Sequence, residues 1–457
     1  MYECHEVLRD MDAVILSRVQ FALFIAFHYL FVPLSIGLSM MLIVMEALYL
    51  ITKKTLYQQL VWFWIKIFSL TFVVGVVTGI MQIFSFGSNW SVFSEYTGNI
   101  FGTLLGSEGV FAFFLESGFL GVLLFGRHKV SNKVHFFSVC MVALGAHLSA
   151  FWIICANSWM QTPSGYEMVM HHGKLVPAIT SFWKVVFSPS TLDRFTHAVL
   201  GTWLSGIFLV ISVSAYYFRK QKHLEFARKG LKIGLISAAI VLPLQLLSAD
   251  SSARGVAKNQ PAKLAAFEGI FKTEPYSPLW VIGYVDMKKE RVIGVQIPGG
   301  LSFLVHRNIK TPVIGLDQFP KEEWPNVQVV FQLYHFMVMS WGAMVVLTFI
   351  GWQAYKEKRW ALSPFCLFLL TFSVLIPQAC NELGWGAAEM GRQPWVVQGL
   401  LKTKDAVSPN VQAKHILQSL IMFSIVFVCL LSLFLYLLCK KVKEGPDEKD
   451  LLDIQLP

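Results

Sequence analysis

Charge is scarce in this chain. Asp, Glu, Lys and Arg together make up 14 % of its 457 residues, against 55 % for hydrophobic residues. A soluble domain carries about 25 % charged residues, so that class is excluded. Signatures of soluble cofactor chemistry are missing too: there is no dinucleotide fingerprint, no P-loop and no HExxH. The seven cysteines form neither a CxxC pair nor a CxxCH haem-attachment motif. Cys140, Cys155, Cys366, Cys380, Cys429 and Cys439 lie in or beside apolar runs and only Cys4 lies clearly outside, which reads as free structural thiols. No internal repeat and no low-complexity run occurs.

What is present is apolar length. Mean hydropathy is +0.56, and about nine stretches reach the roughly 20 apolar residues that span hydrocarbon. They lie near 19–49, 61–84, 100–125, 134–157, 195–217, 232–249, 329–351, 361–380 and 414–439. The sixth is the weakest, because Pro243 interrupts it and Asp250 follows. The first is too long for a cleavable signal and has no small-residue cleavage site after it. The expected fold is an all-α polytopic membrane bundle.

The net charge of +10 does not point to nucleic acid, because the basic residues sit after alternate spans. Lys53 and Lys54 form one group; Arg127, Lys129 and Lys133 the next; Arg219, Lys220, Lys222, Arg228, Lys229 and Lys232 the third. Lys356, Lys358 and Arg359 follow, then Lys440, Lys441 and Lys443. The predicted loop 85–99 has no Lys or Arg. By the positive-inside rule the N-terminus is outside and the C-terminus cytoplasmic. The chain divides into 1–249 (spans one to six), an outer loop 250–327, 328–440 (spans seven to nine) and a cytoplasmic tail 441–457. The loop breaks a pattern of short connections; its run VIGYVDMKKERVIGVQIPGG alternates like a hairpin, and long ordered loops in compact proteins are commonly functional.

Two acids interrupt the third span, LGSEGVFAFFLESGFLGVLLFG: Glu108 and Glu116, with no basic residue between Ile100 and Gly126. Eight residues place them about 80° apart around a helix and about 12 Å apart along it. They can share one interior face at two depths. Neutral acids that merely glue helices are the plain alternative, but intramembrane acids mark proton or ligand paths. Few other polar side chains fall within spans. His28 lies at mid-depth of the first, His197 near the outer end of the fifth and Met337 near the outer end of the seventh. Glu382 follows the eighth, close to GRQPW at 391–395. A lone His or Met is more often packing than ligand. Together, imidazole and thioether are a haem's axial ligands, and a Met/His pair holds an electron-transferring low-spin iron.

At this point the chain resembles subunit I of the bacterial cytochrome bd-type quinol oxidases over essentially its whole length. The motifs are SRVQFALFIAFHYLFVPL, SEG…FFLES, ANSWMQTP, AKLAAFE, TPVIGL and NELGWGAAEMGRQPW, the last being the strongest. The resemblance implies quinol oxidation at the outer face and reduction of O₂ to water with protons from the cytoplasm, without a proton pump. It implies His197 and Met337 as ligands of a low-spin haem b, His28 as ligand of one high-spin haem and Glu382 of the other. One of these is haem b and the other haem d, or a b haem in its place. Glu108 then lies beside the oxygen-reducing haem and Glu116 deeper on the proton route, since a glutamate in a low-dielectric interior can hold and pass a proton. Lys263 and Glu268 match quinol-site positions, although from residues alone they read as a solvated i,i+5 pair. Arg392, Gln393, Pro394 and Trp395 are expected to hold haem propionates and the local turn, since guanidinium forks suit carboxylates; Trp395 can equally be packing. The implied partners are a second membrane subunit in a heterodimer, small single-span subunits, ubiquinol or menaquinol, and O₂, in the bacterial cytoplasmic membrane.

Three departures stand out. His335 occupies a place where some members have Arg two residues before the methionine ligand, which lowers the expected charge there. The outer loop is of the short kind. His147 stands where a neutral polar residue is expected, and either joins the proton route or packs. A proton-coupled transporter using the buried acids is the rival class, but it leaves two histidines and a methionine unexplained.

Overall fold

The computed structural model describes residues 2–126, 129–356 and 364–446. Arg127, Lys358 and Arg359, the start of the expected eighth span at 361–363 and most of the tail lie outside the described residues, as does the side chain of Cys4. The helices in order are α1 (Tyr2–Tyr29), α2 (Val32–Thr52), α3 (Thr55–Asn89), α4 (Ser91–Glu108), α5 (Phe114–Phe125) and α6 (Asn132–Gln161). They continue with a short α7 (Phe182–Val186), α8 (Thr191–Lys220), α9 (Leu224–Asn259), α10 (Pro261–Glu268), α11 (Gly300–His306), α12 (Val327–Lys356), α13 (Pro364–Thr371), α14 (Leu375–Met390) and α15 (Ala413–Glu444). Among the described residues eight spans are long and apolar enough to cross a membrane, and the pair α13/α14, bent by 42°, makes a ninth. The core is centred on α2, α3, α8 and α9, with Leu38, Met41, Phe63, Phe208 and Leu235 fully buried. Gly37 and Gly206 bring α2 and α8 so close that a Cβ on either would collide with the other's backbone, the small-residue contact that membrane helices use.

Two spans are broken, and proline breaks both. Pro33 has no N–H and its ring would clash with the carbonyl of Tyr29, so α1 stops at Tyr29 and leaves His28 in its last turn. In the eighth span Pro377 lies in the first turn of α14, behind the turn at 372–374. Backbone groups freed inside a membrane need partners, and they have them. Ser212 of α8 accepts from the Val374 N–H at 2.9 Å, and the Gln378 amide donates to the Leu30 carbonyl at 2.6 Å. The two breaks thus face each other. The break corrects one expectation: Glu382 does not follow the eighth span but lies inside its second half, α14.

A third irregularity is a π-turn, Gly109–Phe113, between α4 and α5. It lies between the two acids. A π-turn takes up about one extra residue, so eight residues rotate like seven and the offset shrinks from about 80° to about 20°. The structure brings Glu108 and Glu116 closer to one line than a regular helix would.

The connections hold more structure than the sequence indicates. The expected loop 85–99 is helical apart from a break at Trp90. A hairpin, β1 (Tyr166–His171) with β2 (Lys174–Ile179), fills 166–179, and β5 (Trp395–Val397) pairs with β6 (Leu401–Lys402). The 250–327 segment starts later than expected, because α9 runs on to Asn259. It then holds α10, a hairpin of β3 (Leu279–Asp286) with β4 (Arg291–Ile297), and α11. The alternating run of the sequence is this hairpin. The segment closes over a core of Leu264, Phe267, Phe271 and Leu301 that it shares with Phe331 of α12.

Candidate functional site

One cavity of about 790 Å³ runs through the bundle. Of the residues singled out from the sequence, His28, Glu108, Glu116, His197, Lys263, Met337, Arg392 and Gln393 line it. Glu268, Glu382 and Trp395 are not among its lining. Trp395 lies instead under the Lys402 ammonium, 5.1 Å from the ring centroid, which favours the packing role. Glu382 is in α14 with Oε1 buried and without a hydrogen-bond partner, within electrostatic reach of Tyr29 next to His28.

Hydrogen-bond direction decides what each histidine offers. Thr78 donates its hydroxyl to the Val74 carbonyl at 2.9 Å, so its oxygen accepts from His28 Nδ1, also at 2.9 Å. Ser248 donates to the Gln245 carbonyl at 2.9 Å and so accepts from His197 Nδ1 at 3.1 Å. Both rings are thereby fixed as the Nδ1–H tautomer, with a lone pair on Nε2, the arrangement that outer partners impose on ligating histidines. The Gln245 amide nitrogen lies 3.2 and 3.3 Å from the two nitrogens of His197, within hydrogen-bond reach of both. Other buried histidines have nothing to offer. His147 donates to the Ala143 carbonyl and accepts from Trp203 Nε1 at 2.8 Å, so it ties α6 to α8. His335 faces the carbonyls of Phe331 (2.9 Å) and Trp280 (3.0 Å) and ties α12 to β3. His135 is held at 2.6 Å by Glu46 and at 3.2 Å by the Leu123 carbonyl.

Glycine clears the space around the thioether. A Cβ on Gly384 would stand 2.8 Å from Met337 Sδ, and one on Gly79 3.2 Å from His28 Cε1. The acids are seated against α6. Glu108 accepts from Ser149 at 2.5 Å, and a Cβ on Gly145 would collide with Glu116. Gly145 and Ser149 are one turn apart on a single face of α6, so both acids face the same helix.

Beyond them lies a charge cluster that sequence reasoning missed in large part. Glu389 is bonded by Arg392, by Asn157 at 3.0 Å and by Gln161 at 3.2 Å. Arg194 binds Asn157, and Lys263 binds Gln161 and, at 2.9 Å, Gln260. One carboxylate thus faces three cations. The Nε of Arg194 and the Nε and Nη1 of Arg392 have no partner. A buried cation without its counter-charge is costly, and unfilled guanidinium forks match carboxylates. Signals existed for part of this: Asn157 and Gln161 belong to ANSWMQTP, and Arg194 is three residues before His197.

Lys263 and Glu268 are not a solvated pair. They are 3 % and 1 % exposed, and five residues turn them about 140° apart on α10, so they face different neighbours. Burial holds Lys263 well below the ordinary lysine value, helped by Arg194 and Arg392 and opposed by Glu389. Burial pushes Glu268 up to about 8.

Fold and site together define a polytopic helical membrane protein with a large internal cavity lined by two imidazoles, a thioether and surplus cationic charge. The chain belongs to the cytochrome bd terminal oxidase subunit I family, whose model matches residues 16–446. It is 33 % identical over 455 residues to a cytochrome bd ubiquinol oxidase subunit 1 of Bacillus subtilis, covering 97 % of this chain and 96 % of that one. It is 31 % identical to the cytochrome bd-II ubiquinol oxidase subunit 1 of Escherichia coli, covering 95 % and 97 %. The solved bd oxidase from Geobacillus thermodenitrificans superposes with a TM-score of 0.88 at 27 % identity, covering 96 % of this chain and all of that one. Membership in this family implies haem, and the donor set fits haem: two Nε2 lone pairs, a thioether with cleared space, and guanidinium groups for acidic side arms.

Proposed function

We propose that this chain is the haem-bearing catalytic subunit of a respiratory quinol oxidase. It oxidises quinol at the outer membrane face and reduces O₂ to water with cytoplasmic protons. The observation that carries this is the pair of Nδ1 contacts to hydroxyls, which leaves a lone pair on the Nε2 of His28 and of His197 at one cavity shared with Met337. Bound haem supplies one-electron transfer and oxygen binding. His197 and Met337 would hold the low-spin haem b, His28 one high-spin haem and Glu382 the other, of b or d type. Arg194 and Arg392 would take the propionates, as their unfilled forks require. Glu116 and Glu108, aligned by the π-turn and backed by α6, hold protons at two depths on the way from the cytoplasm. Lys263 and Glu268 bind and deprotonate quinol, ubiquinol or menaquinol, from the outer side. The chain acts with a second membrane subunit, and with small single-span subunits, in the bacterial cytoplasmic membrane, N-terminus outside and C-terminus inside. A reduced-minus-oxidised spectrum with a pyridine-haem assay counts and types the haems; absence of haem bands sinks the proposal.

The quinol site has its own test. Lys263→Ala and Glu268→Ala are expected to cut turnover with a short-chain quinol by about 100-fold, the lower range of a lost acid–base group, while all haem bands persist. Electrons from an artificial donor should still reduce O₂ in both variants. Unaltered steady-state quinol kinetics would move the site elsewhere.

A further inference from the structure

Gln161, the last residue of α6, is fully buried and is not part of the cavity wall. Its one amide nevertheless meets both signs of charge in the cluster. The amide oxygen accepts from the Lys263 nitrogen and, at 3.0 Å, from the Gln260 amide. The amide nitrogen donates at 3.2 Å to Oε1 of Glu389, the carboxylate that Arg392 also binds. Lys263, by contrast, lines the cavity. Its nitrogen is held twice, by Gln161 and by the Gln260 side-chain oxygen at 2.9 Å. Gln260 is anchored in turn, with its own amide nitrogen 3.3 Å from Oε1 of Gln398. An ammonium has three donors, and a neutral amine two and a lone pair. In either form two N–H groups go to amide oxygens, and one position of the nitrogen remains for an oxygen in the cavity.

We propose that Gln161 is a positioning residue of quinol oxidation, whose amide fixes the Lys263 nitrogen so that its remaining position meets a quinol oxygen. The inference rests on the reading that quinol binds beside Lys263. Gln161 touches no substrate and acts through Lys263 alone. A lysine is a flexible stem with a compact charge at its end, and two amide oxygens take that freedom away. The amide also stands between Lys263 and Glu389. It keeps cation and carboxylate from closing into an ion pair, which would leave nothing for substrate. Without Gln161, Lys263 would retain only Gln260, itself short of a partner, and Glu389 would compete for the charge.

The test is Gln161→Met in the whole oxidase, which keeps the length of the side chain and removes both polar atoms. KM for a short-chain quinol should rise about 10-fold, the worth of one hydrogen bond to a charged group. The haem spectrum and turnover from an artificial donor should not change. Binding of the oxidised short-chain quinone, followed by calorimetry without turnover, should weaken by the same factor. Gln161→Glu keeps an oxygen for Lys263 and should recover most of that affinity; a KM as high as in Gln161→Met would overturn the role. A double-mutant cycle reads the coupling. In a Lys263→Ala background Gln161→Met should lower kcat/KM no further, and a full further loss would show that Gln161 does not act through Lys263. If Gln161→Met loses haem, Gln161→Asn replaces it, since the shorter side chain draws the amide away from Lys263 and should raise KM likewise. Wild-type KM in these variants alongside a crippled Lys263→Ala would overturn the positioning and keep the quinol site. Wild-type kinetics in Lys263→Ala would instead overturn the site itself.

Discussion

His197→Ala is expected to remove the low-spin haem signal entirely, and Met337→Leu to convert it to a high-spin one. Six-coordination needs both strong-field ligands, and nothing nearby replaces either. Ser248 bonds His197 Nδ1 and leaves the Nε2 lone pair to other partners, and the other buried histidines have both nitrogens engaged. Leucine keeps the volume of Met337 in the space that Gly384 leaves, so its effect reads ligation rather than packing. Loss of an outer partner of a ligand costs about 10–100-fold; loss of the ligand should cost more than about 100-fold in quinol turnover. Reduced-minus-oxidised spectra of the purified variants decide it. An unchanged low-spin spectrum in both would refute the assignment.

The second large effect concerns the buried acids. Glu116→Gln should leave haem content largely intact and slow O₂ reduction by about 100-fold or more, the range for removing a positioned proton carrier while keeping its shape. Glutamine fits the same pocket against Gly145, so misfolding is not the expected cause. Glu108→Gln keeps an amide oxygen that can accept from Ser149 but loses the ionisable carboxyl, and should in addition disturb the oxygen-binding haem. Oxygen consumption driven by an artificial donor isolates this step from quinol oxidation. Wild-type turnover in Glu116→Gln would end the proton-relay reading and leave helix glue as the role of these acids.

Much of this arrangement was legible in the sequence, for definite reasons. Spans show as hydropathy, and the hairpin of β3 and β4 shows as alternation. His28, His197 and Met337 stand out because polar or ligating groups are rare inside apolar runs. Pairings made across helices were not legible. Nothing local tells that Glu389 gathers Arg392, Asn157 and Gln161, or that His147 spends its Nε2 on Trp203. Lys263 and Glu268 read as solvated because charged residues seldom bury without partners. Gln161, the partner of Lys263, is 102 positions away in the chain. The hairpin at 166–179 escaped notice because helical spans set the expectation around it.

The π-turn at Gly109–Phe113 bears on how this chain tolerates changes of length. A turn that absorbs one surplus residue can give that residue back. Deleting a single position within 109–113 would convert the turn to ordinary helix and leave seven steps between the two acids, still about 20° apart. Every residue below it, down to Leu123 against His135, would keep its facing. The same deletion at 118–122 has no slack to draw on and would swing the remainder of α5 by about 100°, turning Leu123 away from the bundle. Insertions and deletions among related chains are therefore expected to gather in this one turn, and shortened variants made there should still assemble with haem when those made about nine residues further on do not.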